Sequence, residues 1–300
     1  MKKKVMKEST AWQIGAHTVM IIGSLLAILP FILLVIASFT DNQTALVNGY
    51  SFTPEKWSLE AYQYIANEWA TIGRAYLMTI LVTVIGTALS LVITSTFAFA
   101  VSNDKLPGHK ILMFLCIFTM LFNGGLVASY YVYSNIFHIK NTIWALIVPT
   151  FLMSPFNVVL VKNYFSNSIS PSILEAARMD GAGVFAVFTK IVMPLSVPIM
   201  ATVGLMTAIG YWNDWTNGLY YLTENGGSQY YTIQLVLNQI NENINFLANN
   251  SDVAAKAAQQ LPSTTMRMAI AVIGILPIMC AYPFFQKYFV KGITLGGVKE

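Results

Sequence analysis

The stretch SISPSILEAARMDGAGVFAVFTKIVMPLSVP, residues 168–198, is a polar, small-residue interruption in a chain otherwise made of long apolar runs. Pro171 opens it, Gly181 and Gly183 cut it, and Met193-Pro194 leads back into apolar sequence. In hydrocarbon its backbone and side-chain polar groups would have no hydrogen-bond partners, so the stretch belongs on a membrane face. Ser170 suits a helix N-cap, Pro171 suits the first helical position, and Ser172 with Glu175 offers an alternative capping-box register. The spacing predicts one helix through Met179, stopped by Gly181 in the left-handed conformation, and a second short helix over 184–190. Ala176 and Ala177 would let another backbone approach, Glu175 and Arg178 offer charge, and Phe185, Val187 and Phe188 are apolar knobs. Such a helix pair suits the groove of a partner protein and the inner leaflet about equally well.

Outward from this stretch, composition sets the class. The 300 residues are 56% hydrophobic and 10% charged, with a mean hydropathy of +0.60. A soluble domain carries about 25% charged residues, so the chain reads as an all-α integral membrane protein. A span needs about 20 apolar residues. Six segments qualify, at 13–39, 75–101, 111–133, 142–161, 191–212 and 268–289, leaving 1–12 and 290–300 as tails and 13–289 as the membrane domain. If the N-terminus is cytoplasmic, twelve of the 17 lysines and arginines lie on its side. The positive-inside rule then places both termini and the 170–190 helix pair in the cytoplasm. The N-terminal MKKKVMK resembles a signal peptide, but the apolar run behind it is too long for one and is read as an uncleaved first span.

The outer connections are long and aromatic or amide-rich. Residues 40–74 hold Trp57, Tyr62, Tyr64 and Trp69 and predict a short helix near the membrane surface. Residues 213–262 exceed ordinary connection lengths, which marks them as functional or disordered. Asn123-Gly124-Gly125 interrupts the third span ahead of Tyr130, and Pro149 and Pro155 interrupt the fourth. Close helix packing through small residues and the lining of a pathway both explain such breaks.

The net charge of +4 borders apolar runs instead of forming a patch, which excludes a nucleic-acid partner. The spans contain essentially no Asp, Glu, Lys or Arg, which argues against a carrier coupled to ions through carboxylates. What they offer is Ser, Thr, Asn, Tyr and Trp, suited to a neutral, hydroxyl-rich solute. Cys116 and Cys280 sit in apolar segments as reduced thiols, and neither has metal-ligand spacing. There is no G-x-x-x-x-G-K-[ST] loop, H-E-x-x-H or nucleophile elbow, so no catalytic residue and no metal site is predicted. His17, His109 and His138 are far apart near span ends.

Glu175-Ala176-Ala177, three residues, Gly181, nine residues, then Ile191-Val192-Met193-Pro194 resembles the signature of importer permease subunits of the ATP-binding-cassette class. The family usually has Leu where Met193 stands. The flanking LEAARMDGAG and MPLSVP, FNGGL at 122–126, WNDW at 212–215 and the tail FVKGITLGGVKE from Phe289 are similar to the carbohydrate, maltose-type branch, and most to its oligosaccharide permeases for uronic-acid-containing and other complex sugars. The resemblance implies a MetI-like permease fold of six transmembrane helices in a bacterial cell membrane. It implies that Glu175, Ala176, Ala177, Arg178, Asp180, Gly181 and Pro194 couple to an ATPase, with Gly292, Leu295, Gly296 and Gly297 reaching the ATPase interface. Asn241, Asn245 and Asn249 would meet a sugar-binding protein. Asn123, Gly124, Gly125, Tyr130, Asn157, Trp212 and Asn213 are the candidate path-lining residues. The implied partners are a second permease subunit, two ATPase subunits that use ATP and magnesium, an extracellular sugar-binding protein and the bilayer, with no cofactor bound by this chain. A self-sufficient sugar facilitator or secondary carrier, and a membrane-anchored assembly or sensor protein, are the alternatives from other classes.

Overall fold

The computed structural model describes residues 10–248 and 264–297. Among them every regular element is helical, and the only β pairing is an isolated bridge between Thr40 and Trp57. The chain divides into two compact units, residues 1–68 with 240–275 and residues 69–239 with 276–300.

In the first unit, α1 (Thr10–Ser38) presents apolar side chains on all sides, and residues 12–32 are exposed around its whole circumference. That is the surface of a helix meant for lipid or another helix. The chain then forms a polar clasp. The Asp41 N–H donates to the Lys56 carbonyl at 3.0 Å, the Ser58 N–H donates to Phe39 O at 2.8 Å, and Lys56 Nζ lies 3.0 Å from the Asp41 carboxylate. Asp41 also caps α2 (Asn42–Asn48) through the Thr44 N–H. The hydrogen bond from Lys56, with help from Thr44, holds the Asp41 carboxyl below its ordinary pKa. Tyr62 of α3 (Glu60–Asn67) stacks on Phe39 and shares a hydrogen bond with Ser38. The single helix expected over 40–74 is therefore two short ones.

The second unit is organised on α4 (Trp69–Ser102), which begins six residues before the predicted span. It buries Ile72, Ala75, Thr79, Val82, Gly86, Ser90, Thr94, Ala98 and Val101, spaced by three or four residues along one stripe. Small and hydroxyl side chains on that stripe let α8 (Pro155–Ser168) and α11 (Val197–Asn213) lie close against it. At Gly86 an added Cβ would sit 2.5 Å from the Tyr211 ring, so the two helices touch there through the absence of a side chain. One apolar cluster joins Ala98, Val158, Val161, Phe165, Val192 and Val203, and a second joins Val82, Leu146, Ile147, Tyr211, Leu222 and Leu235.

Three of the six expected spans are not continuous helices. The third is α5 (His109–Leu121) and α6 (Gly125–Ile136), which meet at 119°. Gly125 starts α6 with φ 81°, and its N–H donates to the Asn123 side-chain oxygen, an Asx-type turn that replaces the helical ladder. The fourth is α7 (Trp144–Ile147) and α8, separated by residues 148–154 because neither Pro149 nor Pro155 can donate to a preceding carbonyl. The fifth starts early, as α10 (Val184–Leu195), and bends by 79° at Ser196 into α11. The second coupling helix expected over 184–190 is thus the first half of α10, and it continues through a π-helical turn at Phe188–Val192. By length and composition two helices among the described residues can cross a membrane, or four if each bent pair is one span.

The connection expected to be loop at 213–262 contains α12 (Thr216–Tyr221), which buries Asn217, Gly218 and Tyr221, and α13 (Ile233–Ala248), which is helical because apolar residues recur on one face. The last helix, α14 (Thr264–Gly297), carries Pro277 and Pro283 inside it and extends past residue 289 to Gly297.

Candidate functional site

Two features of the second unit gather the residues singled out above. The first is the helix pair of residues 170–195. α9 (Pro171–Met179) starts where expected, with Ser170 at the N-cap and Pro171 at N1. The Ser170 hydroxyl does not cap the helix; it pairs with the Ser172 hydroxyl at 2.7 Å. The C-terminus is a complete Schellman motif. The Ala182 N–H donates to Ala177 O, the Gly181 N–H donates to Arg178 O, and Gly181 takes φ 82°. A Cβ at Gly181 would meet nothing within 4 Å, so the glycine is required by backbone conformation and not by space.

This tight stop sets α9 beside α10 and gives the pair two unlike faces. Leu174, Ala177, Ala182, Phe188 and Met193 pack onto the cluster of Phe165, Ile169, Val187 and Val192. On the outer face Met179, Val184 and Phe185 are 87%, 74% and 78% exposed. Glu175, Ala176, Arg178, Asp180 and Pro194 are exposed as well. Glu175 and Arg178 border a hollow of about 270 Å³ with Asp104 and Lys105 of the α4–α5 turn. Among the described residues neither Glu175 nor Arg178 forms an ion pair. The surface is apolar at its knobs, charged at its rim and anchored rigidly underneath.

The second feature is a cavity of about 850 Å³ walled by the two helix breaks and α12. Asn123, Gly124 and Gly125 come from the first break, Val148, Pro149, Thr150, Leu152, Met153 and Pro155 from the second, and Thr216, Asn217, Tyr220 and Tyr221 from α12. Its size falls within the range of small-molecule sites, about 300–1,000 Å³. No lining residue is charged. Three carbonyls from the end of α7 into the non-helical segment behind it are held by side chains from three other elements. Tyr211 OH donates to Ile147 O at 2.8 Å, Ser90 Oγ to Phe151 O at 3.1 Å, and Asn217 Nδ2 to Pro149 O at 3.4 Å. Irregular backbone at membrane depth requires such partners or water. Asp214, just past α11, accepts from the Thr216 and Asn217 N–H groups and fixes the first turn of α12; burial raises its carboxyl pKa against those bonds.

The predicted path residues separate. Asn123, Gly124 and Gly125 line the cavity, and Tyr130 stacks on the lining residue Tyr221 at 5.8 Å. Asn157 is buried between helices and donates to Thr207, Trp212 is buried with its ring edge-on to Tyr76, and Asn213 donates to Ile209 O of its own helix. Thr216, Asn217, Tyr220 and Tyr221 were missed because hydropathy assigned them to a loop; the Tyr220-Tyr221 pair behind an Asp214 capping signal was the available clue. In the first unit, Asn241 and Asn245 are exposed on α13, and Asn241 accepts from Arg267. Asn249 lies outside the described residues. Gly292, Leu295, Gly296 and Gly297 occupy the final turns of α14.

The sequence model of the family "binding-protein-dependent transport system inner membrane component" matches residues 88–295. The polygalacturonan/rhamnogalacturonan transport system permease protein YtcP of Bacillus subtilis is 37% identical over 276 residues, covering 92% of this chain and 94% of that one. An arabinooligosaccharides transport system permease protein, AraQ of Halalkalibacterium halodurans, is 26% identical over 282 residues, covering 91% and 92%. Among solved structures, a bacterial ABC transporter involved in the import of the acidic polysaccharide alginate superposes with a TM-score of 0.78 at 27% identity, over 93% of this chain and 96% of that one. The architecture described above is thus the MetI-like permease fold.

Proposed function

The chain belongs to the family of binding-protein-dependent transport system inner membrane components, and from that premise we propose that it is the permease subunit of an ATP-driven oligosaccharide importer. Members of this family are non-catalytic membrane components of bacterial ABC transporters. In the proposed assembly a second permease completes the pathway, two ATPase subunits supply the work using ATP and magnesium, and an extracellular binding protein delivers sugar. Both termini and the α9–α10 pair face the cytoplasm, in keeping with the lysine and arginine bias. The relatives' names, which specify polygalacturonan/rhamnogalacturonan and arabinooligosaccharides, support an oligosaccharide as the solute.

The observation that carries the proposal is the exposed apolar and charged face of α9 and α10 on an anchored base. Met179, Val184 and Phe185 seat in a cleft of the ATPase, in the helix-in-groove mode. Movement imposed on α9 passes through the Schellman stop to α10 and across the Ser196 bend to α11. There Tyr211 holds Ile147, and with it the cavity wall. A self-sufficient facilitator has no use for this surface and is not favoured.

The test is Phe185→Asp and Glu175→Lys in the intact importer, read by recovery of the ATPase subunits with the permease and by ATP-dependent sugar uptake. Phe185→Asp buries a charge in an apolar contact, a change costing several kcal/mol, and is expected to lower ATPase recovery at least about tenfold. Glu175→Lys reverses a rim charge and is expected to weaken it less. Normal assembly and transport by both variants would sink the docking assignment.

A further inference from the structure

Among the described residues, four aromatic side chains line the cavity between the two helix breaks and α12, and three of them already have ring partners. Phe122 stacks on Phe118 at 4.5 Å between centres, Tyr133 lies edge-on to Tyr221 at 5.9 Å, and Tyr221 also stacks on Tyr130. Tyr220 is the fourth. Its ring meets no other ring among the described residues and its hydroxyl makes no hydrogen bond there. It is 37% exposed, whereas its neighbour Tyr221 is 3% exposed.

The wall that carries Tyr220 is fixed at both ends. Asp214 accepts from the Thr216 and Asn217 N–H groups at the start of α12, and the Asn141 N–H donates to Tyr221 O at its end. Asn141, at φ 58°, also accepts the Thr223 N–H on its side-chain oxygen at 2.7 Å. Between those ends a Cβ on Gly218 would come within 2.8 Å of Leu235, so the helix lies directly on that side chain. The second break is held as firmly. Thr150, which lines the cavity, takes φ 69°, a region that β-branched residues rarely enter. The carbonyls on either side of it, of Pro149 and Phe151, are held by Asn217 and Ser90. Backbone strain of this kind persists only where the surroundings over-determine it, and it clusters at ligand sites.

The hydrogens on one face of a sugar ring make that face apolar and slightly positive, and the face of a tyrosine ring is negative, so the two stack. A ring that already has a partner must release it first; Tyr220 has none to release, and its backbone is fixed in advance. Asn123, Thr150 and Thr216 bring amide and hydroxyl groups to the same cavity, suited to the hydroxyls of a sugar. Tyrosines also gather in the aromatic belts of membrane proteins, but there they lie at the headgroups and use the polar tip. Tyr220 instead lines an uncharged cavity.

We infer that Tyr220 is a sugar-stacking residue of this subunit, taking one ring of the passing oligosaccharide on its face. The inference rests on the importer reading above and assigns a residue within it.

The test uses the complete importer in proteoliposomes, with its binding protein outside and ATP within. The sugars are trigalacturonate, arabinotriose, galactotriose and mannotriose, and the wild type is compared with Tyr220→Phe and Tyr220→Leu on each one that the wild type takes up. Phenylalanine keeps the ring face without the hydroxyl, and leucine keeps apolar bulk without the face. Tyr220→Leu is expected to lower maximal uptake about tenfold and to raise the ATP hydrolysed per sugar imported by a similar factor. Tyr220→Phe is expected to stay within about twofold of the wild type on both measures. Subunit recovery, the ATP hydrolysis rate and the concentration of loaded binding protein giving half-maximal uptake are expected to be the same in all three. Unchanged uptake by Tyr220→Leu overturns the inference. Equal losses in the Leu and Phe variants, the result for a tyrosine that acts through its hydroxyl, also overturn it, as do losses that follow subunit recovery or ATP hydrolysis. Each of those results leaves the importer reading intact, because the wild type still imports sugar. An assembled, ATP-hydrolysing wild type that takes up none of the four sugars removes both.

Discussion

Gly181 shows how one backbone angle supports a mechanical connection. With open space around its Cα and φ at 82°, the cost of a side chain there is conformational alone. Gly181→Ala is expected to destabilise the turn by about 1–2 kcal/mol, while Gly181→Asn, which tolerates the left-handed region, costs less. Hydrogen exchange of the Gly181 and Ala182 amides would report the difference, and equal protection in both variants would contradict the account. In the first unit, Asp41 makes a pH-dependent contribution. Its folded pKa lies below the ordinary value because Lys56 and the Thr44 N–H favour the carboxylate. The stability it lends the clasp is therefore fully present above the ordinary carboxylate range and is lost as pH falls through the lowered folded value. Lys56→Gln is expected to move the Asp41 titration upward, as read by carboxyl-carbon NMR; an unmoved titration would place the cause elsewhere.

At the scale of elements, broken helices do what continuous ones cannot. Breaking a helix frees carbonyls, and in lipid each needs a new partner. The carbonyls of Ile147, Pro149 and Phe151 find them in Tyr211, Asn217 and Ser90, each more than 60 residues away in sequence from the carbonyl it holds. Replacing any one of them with a residue lacking the donor (Ser90→Ala, Tyr211→Phe, Asn217→Ala) is expected to cost about 0.6 kcal/mol and at most about 1.7, the range for hydrogen bonds between membrane helices. Thr96→Ala is the control, because the Thr96 hydroxyl is exposed and bonds only carbonyls of its own helix. Unfolding in mixed detergent measures both, and equal effects would mean the three carbonyls do not depend on these donors. The same breaks create the cavity, since an unbroken α5–α6 or α7–α8 would fill it with helix.

For the second unit as a whole, the seam along α4 carries the packing that links the α9–α10 surface to the cavity. Tyr211 is its busiest point: the ring lies against Gly86 and Phe151, and the hydroxyl holds the Ile147 carbonyl. A larger residue at position 86 would have to displace a fully buried ring that cannot swing aside without giving up that bond. Long-range coupling through such a contact needs no specialised relay, only helices packed too closely to move independently.

Much of this was legible without coordinates. Composition alone assigns the chain to the membrane, and the Glu175-to-Gly181 spacing places the helix pair, because capping and glycine chemistry are local and act within a few residues. Asn123-Gly124-Gly125 and the two prolines mark the breaks for the same reason. Hydropathy could not say that the third, fourth and fifth spans bend, since a window of about 20 residues sums apolar character without regard to continuity. Nor could it find α12 as a cavity wall. Those depend on contacts such as Asn141 with Thr223 and Tyr211 with Ile147. Local chemistry determines where this chain can form helices and where it must stop; only tertiary packing decides which freed carbonyls are recaptured and what space the breaks leave open.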